Sequence, residues 1–309
     1  MRDKTGSSLA KVLAKDFQQN KYKYLLILPV LAYFILFSYK PMYGLVIAFQ
    51  EFRANLGIAR SRWVGLRNFI TFFKDPYFFR LLKNTLSISL LSIIFGFPAP
   101  IILAILLNEL KNILFKRTVQ TITYMPYFIS MVVVAGLIRT YTTQYGIFSQ
   151  IAAYFGGTGK NYLMFARYFY PIYVISDIWQ HIGWNSIIYL AAITGIDQEQ
   201  YEAAIIDGAG RFRRIFSVTI PNLLPIIMVL FILRMGGILN VGFEKIILLY
   251  NANIYSVADV ISTFVYRRGI IDAAYSYATA VGLFNSVVNI VFLVAANSLS
   301  RKYTELGLF

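Results

Sequence analysis

The sequence predicts an all-α polytopic membrane protein with six transmembrane helices. Hydrophobic residues make up 58% of the 309 residues and charged residues only 14%, whereas a soluble domain carries about a quarter charged residues. The apolar residues form long stretches of about the 20 residues that a bilayer-spanning helix needs, and the charged residues are concentrated between them. The 26 Phe and 23 Tyr residues exceed what one soluble core of this length could bury, so we expect lipid to cover them.

The N-terminal residues 1–23 are polar and basic. Apolar residues within them share one helical face, which is typical of a short helix lying on a membrane surface. A disordered tail is the alternative, and composition does not separate the two. The residues on that face are Leu9, Val12, Leu13 and Phe17.

The six predicted spans follow in order. Lys40-Pro41 interrupts the first span near its far end. Prolines predict kinks in the second and third spans, at Pro98, Pro100 and Pro126. The connection 50–83 is rich in aromatic residues, which predicts short interfacial helices on the outer face with rings at headgroup depth. The predicted spans are approximately 24–49, 84–108, 118–138, 168–196, 222–249 and 273–300.

The connection Tyr201–Pro225 is charged and too short to cross the bilayer. Asp197 followed by Gln200 resembles a capping box, and Gly208 is placed to end the helix in a left-handed conformation. A second short helix should run from about Arg211 to Thr219, because Pro221 disfavours helical geometry at the residue before it. The sequence therefore predicts two short helices joined by a glycine turn.

Polar residues in the middle of apolar spans predict either a solute pathway or hydrogen bonds between helices, and both alternatives stay open for each residue. Arg234 is expected to face the interior, with Asp177 or an acid of a partner chain nearby, because an unpaired arginine facing lipid is unfavourable. Trp179 and Trp184 flank His181 and offer flat aromatic faces to a solute. The candidate pathway residues are Trp179, His181, Trp184, Asn185, Arg234, Asn240, Asn285 and Asn289.

The charged connection also resembles a known motif. Glu202-Ala203-Ala204, then Gly208, then Val218, Ile220 and Pro221 follow the loop signature of binding-protein-dependent ABC importer permeases. Val218 and Ile220 replace the usual Ile and Leu, which are mild departures. Further segments resemble the carbohydrate-importer subfamily and its oligosaccharide and polysaccharide-fragment branch: Leu28-Pro29, Val64 to Phe69, Asn84-Thr85, Asn240 to Glu244 and Thr304 to Phe309.

The resemblance implies the type I ABC importer permease fold in a bacterial cytoplasmic membrane, with both termini cytoplasmic. Lysine and arginine counts are similar on the two predicted sides, so charge alone does not set this orientation. In that family a second, similar permease, two cytoplasmic ATPase subunits and an extracellular solute-binding protein complete the importer. By resemblance the loop docks on an ATPase through Glu202, Ala203, Ala204, Asp207, Gly208, Ala209 and Pro221.

The chain itself is expected to bind no cofactor and no metal, and to be no enzyme. Gly156 to Lys160 superficially resembles a phosphate-binding loop, but Tyr154 and Asn161 break the required pattern. ATP and Mg²⁺ are therefore expected on the partner ATPase subunits. The resulting organisation is an N-terminal cytoplasmic segment 1–23, a permease domain 24–302 with the coupling loop 197–221, and a cytoplasmic tail 303–309.

The expected function is oligosaccharide import as the permease of an ATP-driven importer. An ion-coupled secondary transporter is the first alternative, although no internal repeat supports it. A membrane-embedded enzyme is the second, but the chain has one His, no Cys and no acidic cluster at metal or acid–base spacing. Arg234 and the basic outer segments suggest an acidic oligosaccharide; equally, those segments could bind an acidic face of the solute-binding protein or lipid phosphates.

Overall fold

The computed structural model describes residues 9–304 and 307–309, with side chains from Asp16 onward except Tyr303. Residues 1–8 and the side chains of Leu9, Val12 and Leu13, on which the surface-helix hypothesis rested, lie outside it. Within the described part the chain is helical apart from one small strand pair and the connecting turns.

The first helix, α1 (Leu9–Phe34), is interrupted at Asn20, whose φ of −115° is not helical. Asn20 Nδ2 donates to Asp16 Oδ1 at 2.8 Å, which joins the side chains on the two sides of this interruption. A π turn (Ile35–Tyr39), α2 (Lys40–Met42) and a 3-10 turn (Tyr43–Phe49) continue the span. None of its most apolar 18-residue window is buried by the rest of the chain.

The C-terminal end of this first span packs on the last helix of the chain. Ala48 is fully buried there, and Phe52 N donates to Ser276 Oγ at 2.8 Å. Two-residue strands, β1 (Gln50–Glu51) and β2 (Arg62–Trp63), then pair antiparallel. The short helices α3 (Gly57–Arg60) and α4 (Arg67–Phe73) fit the expected outer helices, but the strand pair was not predicted, since two residues carry no periodic signal.

The second span consists of α5 (Phe78–Leu91), a π turn (Ser92–Gly96) and α6 (Pro98–Glu109). The predicted third span is not one kinked helix. Its parts are α7 (Ile113–Tyr124), a 3-10 turn (Met125–Phe128), α8 (Met131–Thr142) and α9 (Ile147–Tyr154), and the chain bends by 101° between its two halves. Pro126 and the cap at Ser130, whose side chain accepts from Val133 N, start a new helix direction.

The longest central helix is α10 (Ala166–Thr194), of 29 residues, or about 44 Å at 1.5 Å per residue. The charged connection forms α11 (Gln198–Ile206) and α12 (Arg211–Arg214), followed by a π turn (Ile215–Thr219) and α13 (Ile220–Met235). The prediction that Pro221 ends the second short helix was wrong. Pro221 lies in the first turn of α13, where a missing N–H is tolerated, and helix continues from Arg211 to Met235.

The predicted fifth span, 222–249, was also wrong as one helix. In the structure the helix ends at Met235. The chain then turns through Gly236 and Gly237 and forms the next helix, α14 (Phe243–Leu249). Next come α15 (Tyr255–Ala258), α16 (Ile261–Tyr266), a π turn (Arg267–Ile271) and α17 (Tyr275–Thr304). Glycine pairs favour such a break because their backbone is free to leave the helix.

Four described helical stretches are long and apolar enough to cross a bilayer, and the bent pair is a fifth if its two halves form one span. They are Asp16–Phe49, Phe78–Glu109, Arg211–Met235, Tyr275–Lys302 and the pair from Ile113 to Tyr154. Helix α10 has the length, but its polar residues make it less apolar. The six-span count and the side of the termini remain predictions.

Candidate functional site

A cavity of about 600 Å³ lies against α10, between α6, α13 and the turn that follows α13. Its wall combines apolar and hydrogen-bonding groups, and α10 supplies most of the polar ones at one-turn spacing. This spacing follows from the helix period, which puts residues four apart on one face. The charged or amide side chains on the wall are Asp177, His181, Asn185, Arg234 and Asn240.

Five of the eight candidate pathway residues share this cavity. They are His181, Trp184, Asn185, Arg234 and Asn240. Their arrangement in one wall supports a solute pathway, and their role in transport remains a prediction.

Asn285 and Asn289 lie behind the wall. Their Nδ2 groups donate to Asn240 Oδ1 at 2.9 and 3.2 Å, and Leu239 N donates to Asn289 Oδ1 at 3.0 Å. These contacts match the alternative of hydrogen bonding between helices. They hold the turn after α13 against α17 and so position Asn240 on the cavity.

Trp179 points to a different place. It lines a second, apolar cavity of about 570 Å³ on the opposite face of α10, together with Tyr168, Ile172 and Ile175. The sequence grouped Trp179 with His181 because the two are close along the chain. Helical geometry separates them, since residues two apart point in nearly opposite directions.

Of the two charged side chains on the main cavity, Asp177 forms ion pairs and Arg234 does not, among the described residues. The side chain of Arg234 is exposed to the cavity, and among the described residues it has no ion pair. Asp177 lies 3.4 Å from Lys245 Nζ, and its carboxylate lies 3.5 Å from His181 Nδ1. Arg234 therefore has no nearby carboxylate within bonding distance, which leaves its guanidinium for a ligand.

Lys245 is a residue that the sequence interpretation missed. Its side chain is 1% exposed, and its Nζ also donates to the backbone oxygen of Tyr173 at 3.1 Å. A signal was present, because Lys245 precedes the apolar run Ile246 to Leu249, where a charged residue needs a partner. The sequence predicted one continuous helix over 222–249, which does not bring Lys245 to α10. Only the break after Met235 places α14 against α10.

An aromatic pair stands beside the cavity. The rings of Tyr127 and Trp184 stack with centroids 4.5 Å apart and planes 4° from parallel, and Phe128 meets Trp184 edge-on at 5.5 Å. Tyr127 was not predicted, because its position depends on the 3-10 turn at Pro126. Trp184 is 41% exposed, so its ring offers a flat apolar surface that could lie against a sugar ring.

The charged connection has the predicted glycine turn. Gly208 adopts a φ of +75°, and Ala209 N donates to Ala204 O at 2.8 Å, which confirms the left-handed C-cap. At the other end Asp197 Oδ1 accepts from Glu199 N at 3.0 Å. The capping box is incomplete, because Gln200 Oε1 instead accepts from Asn222 Nδ2 at 2.8 Å.

The tip of this connection is apolar and uncovered. Ile206 is 85% exposed and Phe212 is 79% exposed, beside the exposed Glu202, Ala203 and Asp207. The inner side is fixed to the helices, since the hydroxyls of Tyr201 and Thr219 lie 3.0 Å apart. A rigid loop with an exposed apolar tip is suited to contact with another protein.

In the connection between α15 and α16, Asp259 is a buried carboxylate with 2% of its side chain exposed. It accepts two hydrogen bonds from the Arg267 guanidinium, both at 2.7 Å. Hydrogen bonding to Asp259 raises the pKa of Arg267 above its ordinary value. Asn84 Nδ2 donates to the Asp259 backbone oxygen at 2.9 Å, and this bond ties the connection to the second span.

Comparison with known families gives a match over residues 96–305 to the model described as "Binding-protein-dependent transport system inner membrane component". Two relatives from Bacillus subtilis (strain 168) are each 46% identical. Protein LplB aligns with 94% of this chain and 92% of its own length. The polygalacturonan/rhamnogalacturonan transport system permease protein YteP aligns with 97% of this chain and 93% of its own.

A solved structure gives the same result in three dimensions. One chain of a bacterial ABC transporter involved in the import of the acidic polysaccharide alginate superposes with a TM-score of 0.88 at 43% identity, covering 94% of this chain and 99% of that one. The same transporter in complex with an alginate pentasaccharide-bound periplasmic protein also matches, with a TM-score of 0.88.

Proposed function

The chain belongs to the family of binding-protein-dependent transport system inner membrane components, and we propose that it forms part of the path by which an ABC importer takes up acidic oligosaccharides. It is a permease subunit and not an enzyme. In such an importer this chain supplies the membrane path, while partner subunits hydrolyse ATP with Mg²⁺.

The observation that supports an acidic substrate is the pairing of charged side chains in the cavity. Arg234 is exposed there with no ion pair among the described residues, whereas Asp177 on the same wall is held by Lys245. A guanidinium can bind a carboxylate through two parallel hydrogen bonds. Asn185, Asn240 and the Trp184 ring add the amide and aromatic contacts that sugar hydroxyls and ring faces need.

Two of the matched proteins support this substrate class. The matched crystal structure belongs to an importer of the acidic polysaccharide alginate, and one close relative serves polygalacturonan/rhamnogalacturonan transport. A solute-binding protein is present in the second matched complex. We infer that this chain likewise receives its solute from such a protein and pairs with a second permease.

Coupling to ATP hydrolysis is proposed for the loop 197–221. Its exposed tip carries Glu202, Ala203, Asp207 and Gly208, with Ala204 and Ala209 packed behind them. The two carboxylates could bond basic groups of an ATPase subunit, and Ile206 and Phe212 would enter an apolar cleft. Pro221 lies farther along, at the start of α13.

The test uses the complete importer reconstituted into proteoliposomes with its solute-binding protein. Uptake of uronate-containing oligosaccharides is compared with uptake of neutral oligosaccharides of equal length. We expect ATP-dependent uptake of the acidic series, and about a tenfold loss for Arg234→Gln, because a desolvated charge contact is removed. Arg139→Gln, on α8 outside the cavity wall, is the matched control. Uptake of the neutral series alone would contradict the acidic substrate.

A further inference from the structure

Lys245 has no direct access to a solute. It lies on α14, which packs between α8, α10 and α16, and its side chain is 1% exposed. Its Nζ donates to the Tyr173 backbone oxygen at 3.1 Å and to Asp177 Oδ1 at 3.4 Å, and lies 4.7 Å from the centre of the Tyr173 ring. A buried ammonium group is stable only with such partners, so its contacts fix where its charge acts.

Asp177 is the carboxylate on the described cavity wall. One third of its side chain, 32%, is exposed, and it faces the same cavity as Arg234. Its ion-pair partners among the described residues are Lys245 on the buried side and His181 one helical turn further along α10. His181 Nδ1 also lies 3.0 Å from the Asp177 backbone oxygen, which fixes the imidazole beside the carboxylate.

The pairing of Asp177 determines the net charge that the cavity wall presents. An uncompensated carboxylate on this wall would repel an anionic solute and attract Arg234 across the cavity. In the structure, Asp177 is instead paired from behind, and Arg234 stays without an ion pair in the described chain. The wall then presents one positive charge, from Arg234, to whatever enters.

We propose that Lys245 determines specificity for acidic oligosaccharides by compensating Asp177, which keeps Arg234 free to bind a solute carboxylate. The inference rests on the proposed function and adds a residue that never touches the solute. Lys245 acts through Asp177, and the pair sets the charge of the pathway without occupying it.

The geometry explains why a lysine can serve here. Gly242 lets the backbone before α14 approach α10, since its N–H donates to the Tyr173 hydroxyl at 3.0 Å. That contact sets α14 against the part of α10 that carries Asp177. One ammonium can then donate to both the Tyr173 backbone oxygen and Asp177, because lysine has three donors.

The experiment uses the reconstituted importer and measures uptake of acidic oligosaccharides at subsaturating concentration. Lys245→Met removes the buried charge and keeps the apolar stem. We expect uptake to fall about tenfold or more, because Asp177 then competes for Arg234. In the double variant Lys245→Met with Asp177→Asn, both charges are absent, and we expect most of the uptake to return.

A second variant avoids the buried pair. Asn240→Asp keeps an oxygen that can accept the hydrogen bonds from Asn285 and Asn289, but places an uncompensated carboxylate on the wall. We expect it to lose acidic uptake as Lys245→Met does. Size-exclusion chromatography and basal ATP hydrolysis verify that each importer is assembled, so that a loss of uptake is not a loss of the complex.

The outcomes separate the two proposals. If the unmodified importer does not take up acidic oligosaccharides, the proposed function fails. If it does, but assembled Lys245→Met keeps normal uptake or the double variant is no better than the single one, the role of Lys245 is wrong. Should Lys245→Met not assemble, unchanged acidic uptake by Asn240→Asp would overturn the role by itself.

Discussion

Gly242 shows how one residue can decide the geometry of the cavity. A Cβ at this position would lie 2.8 Å from the Tyr173 hydroxyl oxygen, inside the distance that such atoms tolerate. The sequence marked the segment Asn240 to Glu244 by resemblance alone. The structure supplies the physical reason, which is close approach of the backbone of α14 to α10.

We predict that Gly242→Ala destabilises the permease by about 1–3 kcal/mol, as overpacking does at close contacts. The added methyl group would push Tyr173 away and weaken the bond from Gly242 N. Thermal unfolding in detergent measures the loss.

Adding Tyr173→Phe to Gly242→Ala should recover part of the stability, because the clashing oxygen is removed. Gly282→Ala is the control, since a Cβ there meets nothing within 4 Å. Equal melting temperatures for the two alanine variants would show that the contact is not tight.

The sequence predicted which polar residues lie within the spans better than it predicted which side chains contact them. His181, Asn185 and Arg234 stand out because each interrupts an apolar run. Lys245 and Tyr127 could not be placed, because their positions depend on where the chain breaks after Met235 and at Pro126. A residue pattern states what a helix carries, but not which helix comes to lie beside it.

Three prolines in the helical spans each follow a π turn, and the helix continues through them. The π turns Ile35–Tyr39, Ser92–Gly96 and Ile215–Thr219 stand just before Pro41, Pro98 and Pro221. A π turn shifts the hydrogen-bond register by one residue, which helps a helix to accommodate an irregularity. The sequence predicted an irregularity at each proline, but could not show that helix would continue through Pro221.

The ion pair Asp259–Arg267 gives a prediction for the connection that contains it. Asp259→Asn leaves the Arg267 guanidinium, which is 27% exposed, without its charged partner, and we expect a loss of about 1.5–3 kcal/mol, as for hydrogen bonds to a charged group. The loss should be seen as a lower melting temperature of the purified permease.

Asp272→Asn is the matched control. Its partner Arg268 lies 3.2 Å away, but both side chains are more than two-fifths exposed, and such pairs contribute about 0–1 kcal/mol. A melting temperature lowered equally by both substitutions would mean that burial of Asp259 does not matter.

For the whole molecule, the sequence predicted a membrane-embedded helical permease, and the family match and the solved relative confirm it. Apolar stretches long enough to cross a bilayer are a strong signal. Breaks within a span are a weak signal, because glycine and proline also occur in continuous membrane helices. The predicted spans 118–138 and 222–249 were therefore wrong as single continuous helices, and the six-span count remains a prediction.

The exposed tip of the loop 197–221 gives a prediction for the assembled importer. Ile206→Asp places a charge where an apolar contact is proposed, and Glu202→Ala removes a proposed ionic contact. We expect Ile206→Asp to weaken ATPase binding by about 2 kcal/mol or more, as for a central interface residue, with a smaller effect of Glu202→Ala.

Co-purification of the ATPase subunits with the permease measures this. Tyr154→Ser is the control, because Tyr154 is 87% exposed at the end of α9, away from the loop. Full retention of the ATPase subunits by Ile206→Asp would exclude the tip as their contact surface.

The contact between the first span and the last helix has a consequence for the order of folding steps during synthesis. Phe52 and Ser276, which bond at 2.8 Å, are separated by 224 residues, so the ribosome must produce nearly all of the chain before they can meet. Until then the first helix has to persist in lipid as a separate unit, which its outward apolar surface permits. Closure of this contact is therefore a late step, and its formation reports that the nascent permease is complete enough to fold.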